Sequence, residues 1–166
     1  MAQLKRLSKD AVAGALAKVE RYRLLNEPWE AESICRDVLE VDPGHHEAKV
    51  SLILALSDQF GAESAAHFEE AMKLVTGLPS DYERAYYAGI LHERKAKAIF
   101  ERGGPGSGEV AYEWFVRAMD SYEKAEAVQP AGNQAATLRW NTCLRMMRKH
   151  DSIRPDEAGR QETMLE

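Results

Sequence analysis

The sequence lacks the defining features of several large protein classes. Its 166 residues contain two cysteines, too few for a disulfide-rich fold, and no Cys-x-x-Cys or His-Glu-x-x-His motif that would indicate a metal site. No segment approaches the roughly 18 apolar residues that a membrane span requires. With 22 basic and 27 acidic residues the net charge is −5, so no basic field is present to bind a nucleic acid. Strand-like alternation is also missing, which favours an all-α fold.

The residues that carry most enzyme chemistry do not form a reactive pattern. Cys35 and Cys143 lie in helical patterns, which predicts buried, reduced thiols in a cytoplasmic protein. His45 and His46 begin a helix and diverge around its axis, so they cannot converge on one metal ion. The glycine-rich segment 103–108 follows no strand and lacks the lysine of a phosphate-binding loop. We therefore expect no enzyme activity, no cofactor and no metal.

What the chain does contain is a spacing that repeats. One set of four residues recurs with the same steps of four, three and five: Ala31, Cys35, Val38, Pro43, then Ala118, Tyr122, Ala125, Pro130. A weaker copy lies between them at Ser64, Phe68, Ala71 and Thr76, followed by Pro79. The first two steps keep the residues on one helical face, and the proline ends the helix. The pattern predicts the second helix of a repeated two-helix unit.

Hydrophobic periodicity predicts seven helices and a tail. They run over about 8–25, 26–42, 46–59, 63–75, 81–102, 107–128 and 132–149. Asn26 and Ser107 are expected N-caps, and Ser80 with Glu83 is an expected capping box. Helices five and six are about two turns longer than the others, so we expect a projecting hairpin tipped by loop 103–108. Residues 151–166 are predicted to be a disordered acidic tail.

These patterns resemble the tetratricopeptide-repeat family. The repeats would run over about 12–45, 45–78 and 82–131, with 132–149 as a capping helix, all in one domain, 1–150. The matching residues are Tyr22, Ala31, Pro43, Phe68, Ala71, Gly89, Ala118, Tyr122, Ala125 and Pro130. The resemblance implies an α-solenoid, in which antiparallel helix pairs stack into a right-handed superhelix. It also implies a concave groove, lined by the first helix of each pair, that binds a partner protein.

The groove residues that this resemblance implies lie on helices one, three, five and seven. They are Arg23, His46, Lys49, Ile53, Tyr86, Ile90, Glu93, Arg94, Arg139 and Trp140. For Trp140, the alternative is that its ring packs helix seven against helix six. No nucleic acid or membrane partner is expected, and the sequence does not identify the partner protein.

A second candidate surface lies on the long hairpin. Tyr112, Trp114 and Phe115 are three aromatic residues within four positions, and they cannot all face one helical seam. We expect Trp114 or Phe115 to be partly exposed for a protein contact, with packing against Ile99 and Phe100 as the alternative. The sequence thus predicts a protein-binding scaffold, or alternatively a homodimer that assembles through this hairpin.

Overall fold

The chain is helical, as the sequence predicts. The computed structural model describes residues 2–61 and 64–156, excluding the side chain of Ser64, and within these ranges it contains seven α-helices and no strand. The helices are α1 (Val12–Leu24), α2 (Pro28–Val41), α3 (His46–Ser57), α4 (Ser64–Thr76), α5 (Asp81–Arg102), α6 (Ser107–Ala127) and α7 (Ala135–Lys149). A 3₁₀ turn, Lys9–Ala11, precedes α1. No helix in the described ranges is long and apolar enough to cross a membrane.

The helices fall into two compact units that divide between Leu78 and Pro79. Unit 1 contains α1 to α4, and each of these helices packs against the next one along the chain. In addition, α1 contacts α3. Unit 2 contains α5 to α7, where α5 packs along α6 and α6 packs against α7. Consecutive helices therefore pair within each unit.

The repeated spacing marks core positions. Seven of its residues have no exposed surface: Ala31, Cys35, Val38, Ala71, Ala118, Tyr122 and Ala125. Phe68 is half-buried, and the side chain of Ser64 lies outside the description. Pro43 and Pro130 both lie just beyond the ends of their helices. Steps of four and three residues thus identified one buried face of α2, α4 and α6.

The predicted helix caps are confirmed in one case and wrong in two. The Ser80 hydroxyl accepts a hydrogen bond from the Glu83 backbone N–H at 3.1 Å, which begins α5 as predicted. Asn26 does not cap α2; its φ is 58°, and it follows the last turn of α1. The backbone N–H groups of Glu27 and Asn26 donate to the carbonyls of Tyr22 and Arg23, at 2.9 and 3.0 Å. This is a Schellman motif, and asparagine tolerates its left-handed position.

The long hairpin is present, but the chain after α7 covers its loop end. Helices α5 and α6 have 22 and 21 residues, as the pattern predicted. Ser107 is the first residue of α6 and not its cap, because the preceding Gly106 takes the left-handed cap position with φ 76°. A Cβ placed on Gly108 would lie 2.0 Å from the Ser152 carbonyl oxygen, so the backbones meet closely there.

The start of the predicted tail is ordered against unit 2. Ile153 is 4% exposed, and the His150 ring lies 4.8 Å from the ring of Phe100. For residues 151–156 this differs from the predicted disorder, because one apolar side chain anchors an otherwise polar segment. Residues 157–166 of the predicted tail lie outside the described part of the chain.

Candidate protein-binding site

A buried carboxylate organises the interior of unit 2. Glu93 has no exposed surface, and its oxygens accept hydrogen bonds from the Tyr122 hydroxyl at 2.6 Å and from Lys97 at 2.5 Å. The Arg139 guanidinium of α7 lies 3.3 Å away. Burial raises the pKa of Glu93, but the bonds from Lys97 and Tyr122 and the charges of Lys97 and Arg139 outweigh burial and hold it below its usual range. The carboxylate is therefore ionised and ties together α5, α6 and α7.

A glycine makes room for one of these partners. A Cβ at Gly89 would lie 2.5 Å from Cε1 and 2.6 Å from Cδ1 of Tyr122, closer than carbon atoms can approach. The absence of a side chain at Gly89 therefore lets the Tyr122 ring lie against α5. From there its hydroxyl reaches Glu93, one turn further along α5.

Three tyrosines at the start of α5 form an aromatic cluster. The rings of Tyr82 and Tyr86 are four residues apart on one helical face and stack with centroids 5.6 Å apart and planes 10° from parallel. Tyr87 meets Tyr86 edge-on at 5.3 Å. Behind them, the buried ring of Tyr122 lies 6.0 Å from Tyr86. Offset and edge-on contacts of this kind are the favourable geometries for aromatic pairs.

These tyrosines line a cleft of about 730 Å³, which we call the tyrosine cleft. Its other walls come from the end of α6 and the turn into α7, so all of it lies within unit 2. The lining residues are Ser80, Asp81, Tyr82, Glu83, Tyr86, Tyr87, Val128, Pro130, Asn133 and Ala135. Val128 is 51% exposed, so it offers accessible apolar surface beside the aromatic cluster.

The ionisation of the tyrosines reflects their surroundings. Burial raises the pKa of both Tyr82 and Tyr87, and Asn133 opposes this shift at Tyr82, so both phenols are neutral at physiological pH. Burial lowers the pKa of Arg139, but Glu93 and the tyrosines Tyr122 and Tyr86 outweigh burial and raise it. The guanidinium that hydrogen-bonds the buried carboxylate of Glu93 therefore also senses Tyr86 of the cleft.

Several predicted groove residues occupy other places. The predictions that Ile53, Ile90 and Glu93 face a groove are wrong, because the three are 0%, 3% and 0% exposed. For Glu93, the residue type gave no indication of burial. Its burial depends on partners that lie 29 and 46 residues away in the sequence. Arg23 does reach the surface, where it pairs with Asp58 at 2.7 Å.

The remaining groove residues divide between the two units. His46 is exposed and Lys49 is half-buried on α3 of unit 1. In unit 2, Tyr86 lines the tyrosine cleft, Arg139 supports it, and Arg94 is half-buried. The Trp140 indole N–H donates to Glu123 of α6 at 3.0 Å, so its ring lies along α6 as the packing alternative expected.

The hairpin aromatic residues differ in accessibility: of Trp114 and Phe115, Trp114 is partly exposed, as the sequence predicts for one of the two. Phe115 has no exposed surface, so its place in the predicted contact set is wrong. Trp114 is half-buried between His92, at 5.7 Å between ring centroids, and the Arg117 guanidinium, at 4.7 Å. Tyr112 is half-buried as well. Of the three, one belongs to the core and two remain partly accessible.

Sequence reasoning missed most of the tyrosine cleft. Of its aromatic residues only Tyr86 was predicted, whereas Tyr82 and Tyr87 were not. The signal was present as two tyrosines at a spacing of four, with a third adjacent, directly after a capping box. Val128 and Asn133 carried no such signal, because they reach the cleft from the end of α6 and the turn that follows it.

Neither cysteine is placed for chemistry. Cys35 and Cys143 are fully buried free thiols, and burial raises the pKa of each to about 12. Within residues 2–61 and 64–156 no group of three or more His, Cys, Asp or Glu side chains is arranged to hold a metal ion.

No family model, curated protein or solved structure matches this chain. The function must therefore be argued from the surfaces of the molecule itself.

Proposed function

We propose that this chain is a non-enzymatic, cytoplasmic protein-interaction module of the tetratricopeptide type, a right-handed α-solenoid of helix pairs. The contact between Gly89 and Tyr122 supports the type, because both residues are among those that match the family pattern. The residues in the corresponding places of the first repeat, Val19 and Cys35, depart from that pattern but are both buried.

The observation that carries the function is the tyrosine cleft. Tyrosine is enriched where protein interfaces carry their binding energy, because its rigid ring buries a large area while its hydroxyl can still form hydrogen bonds. A cleft of about 730 Å³ lies within the range of ligand sites and suits a short peptide segment. Because the tyrosine rings already pack against one another, little side-chain entropy is lost on binding. We propose that a segment of a partner protein binds here.

Two valines at opposite ends of α6 allow a matched test. Val128 is 51% exposed inside the cleft, and Val110 is 45% exposed at the other end of α6. Random peptides displayed on phage are selected on the purified chain, and the enriched peptides are titrated against Val128→Asp and Val110→Asp. We expect Val128→Asp to weaken binding by about tenfold or more, since it places a charge in the buried part of an interface. Val110→Asp should bind like the unmodified chain.

Two results would contradict the proposal. One is that no peptide family is enriched; the other is that both variants bind the selected peptides equally well. The same pair tests the alternative homodimer, for which light scattering at several concentrations is the measurement. A dimer that dissociates on Val110→Asp, on the hairpin, would support the homodimer and not the cleft.

A further inference from the structure

A large aromatic side chain of unit 1 is left in solvent. Trp29, in the first turn of α2, is 66% exposed, and two leucines of the preceding turn, Leu24 and Leu25, are 82% and 57% exposed. The Schellman motif at Asn26 fixes this turn, so the three apolar side chains lie on an ordered segment. Three large apolar side chains exposed within six residues make this segment a candidate interaction site.

A cleft of about 530 Å³ lies beside Trp29, entirely within unit 1. We call it the Trp29 cleft. Its lining comes from the α1–α2 turn, α2, the end of α3 and α4, and comprises Asn26, Pro28, Trp29, Glu32, Asp58, Gln59, Gly61 and His67. The only carboxylates among these described lining residues are Glu32 and Asp58, and no lysine or arginine is among them. The walls therefore combine an indole ring with negative charge.

The two carboxylates are fixed by arginines that stay out of the lining. Glu32 is 8% exposed; its Oε1 accepts from Arg36 at 2.7 and 2.9 Å, and its Oε2 accepts from Gln59 at 2.7 Å. Arg36 is itself held by Glu70, with both bonds at 2.9 Å. Asp58 accepts from Arg23 at 2.7 Å. A carboxylate has about four lone-pair positions, so Glu32 retains capacity for another donor.

We propose that the Trp29 cleft binds an arginine side chain of a partner protein. A guanidinium can stack on the Trp29 ring while its N–H groups reach Glu32 or Asp58, which combines cation–π attraction with charge-assisted hydrogen bonds. The compact lysine ammonium lacks the planar stacking surface. The three carboxylates Glu32, Asp58 and Glu70 are paired with only two arginines, so one negative charge is in excess and an anionic side chain is disfavoured. Apolar residues next to this arginine in the partner would contact Leu24 and Leu25.

The test uses the three tryptophans of the full chain, Trp29, Trp114 and Trp140, as separate reporters. Each gives one indole N–H signal in a ¹H–¹⁵N correlation spectrum, and a Trp29→Leu variant assigns the first. The probes are N-acetyl-arginine methyl ester and its uncharged isostere, N-acetyl-citrulline methyl ester. We expect the arginine probe to shift the Trp29 signal saturably and the citrulline probe to bind about tenfold more weakly.

The charge of the wall is tested separately. Glu32→Gln should weaken the arginine probe and leave the citrulline probe unchanged, and the signals of Trp114 and Trp140 should not move in any titration. Trp29→Leu removes the reporter signal, so its titration is followed through the backbone amide signals of the cleft residues, whose saturable shifts should be abolished; the side chain is exposed, so this variant should remain folded. Equal binding of both probes, a Trp29 signal that does not respond, or equal shifts of all three signals would each overturn the proposal.

This site is independent of the tyrosine cleft, because the two sets of lining residues belong to different units. Val128→Asp should therefore leave the arginine titration unchanged. A chain that binds arginine at Trp29 but selects no peptide at the tyrosine cleft would refute the proposed function alone, and the reverse result would refute only this inference.

Discussion

Replacing Gly89 with alanine should destabilise unit 2, although the same change stabilises most helices. In the middle of a helix, alanine is favoured over glycine by about 1 kcal/mol. At Gly89 the new Cβ would lie 2.5 Å from the Tyr122 ring, which has no exposed surface into which it could move. Overpacking of this kind costs about 1–3 kcal/mol, and weakening of the bond from Tyr122 to Glu93 costs about 1 kcal/mol more, which offsets the gain in helix propensity. We expect a net loss of about 1–3 kcal/mol in the free energy of unfolding.

The measurement is urea denaturation of the full chain. In a Trp29→Phe background the tryptophan fluorescence comes from Trp114 and Trp140 alone, and both belong to unit 2. The matched control is Gly14→Ala in α1, where no atom lies within 4 Å of the added Cβ; circular dichroism follows its unfolding in the unmodified background. This control should gain about 1 kcal/mol, since only the helix propensity changes.

A double-mutant cycle identifies the cause. When Tyr122→Ala has removed the ring, Gly89→Ala should change sign and become stabilising, since the obstruction is gone. The reasoning fails if Gly89→Ala alone is as stabilising as Gly14→Ala, or if its effect is the same with and without the Tyr122 ring. Either result would mean that the close approach of α6 to α5 does not limit the side chain at this position.

Three further outcomes follow from buried groups. The pKa of Glu93 is held below its ordinary value of 4.5, so its ionised form stabilises unit 2 at pH values above about 4.5. On acidification below pH 4.5, the urea midpoint of the unmodified chain should fall more than that of Glu93→Gln. Burial raises the pKa of Cys35 and Cys143 to about 12, so both thiols should react with a thiol reagent at pH 8 only as fast as the protein unfolds. Rapid reaction of either cysteine in the folded chain would contradict their burial. Ile153→Ala should destabilise unit 2 by about 2–4 kcal/mol, whereas the exposed Arg154→Ala should not; equal stability of both would show that the segment after α7 does not contribute to the core.

Helix faces were predictable from the sequence because their spacing is local. The steps that link Ala31 to Cys35 and Ala118 to Tyr122 follow from helix geometry, and the fully buried positions match them. The capping box at Ser80 also depends on neighbours three residues apart. The buried helix faces and the cap at Ser80 were therefore read correctly, whereas the caps predicted at Asn26 and Ser107 were not.

The features that sequence reasoning missed depend on distant partners. Glu93 is a charged residue on a helix face that also carries Tyr86, and it was assigned to a solvent groove. It is buried because Tyr122 and Arg139 supply hydrogen-bond donors from two other helices. The hydrophobic periodicity of the sequence does not indicate such contacts. Asn26 was mistaken for the beginning of a helix because asparagine suits both an N-cap and a left-handed C-terminal position. The order of the segment around Ile153 was missed for a related reason, because a single apolar residue forms no periodic pattern.

Both candidate surfaces have the same construction, an accessible aromatic side chain close to a buried carboxylate. In unit 2 the ring of Tyr122 packs against Tyr86 while its hydroxyl donates to Glu93, and in unit 1 Glu32 lies with Trp29 in one cleft. A buried ion pair is weak evidence for stability, because a well-packed apolar replacement is often as stable. What such a network supplies is fixed orientation, since each carboxylate oxygen has donors at defined distances. A surface whose polar groups are already in place loses less entropy when a partner binds, and that favours recognition as the reason for charge inside these helical units.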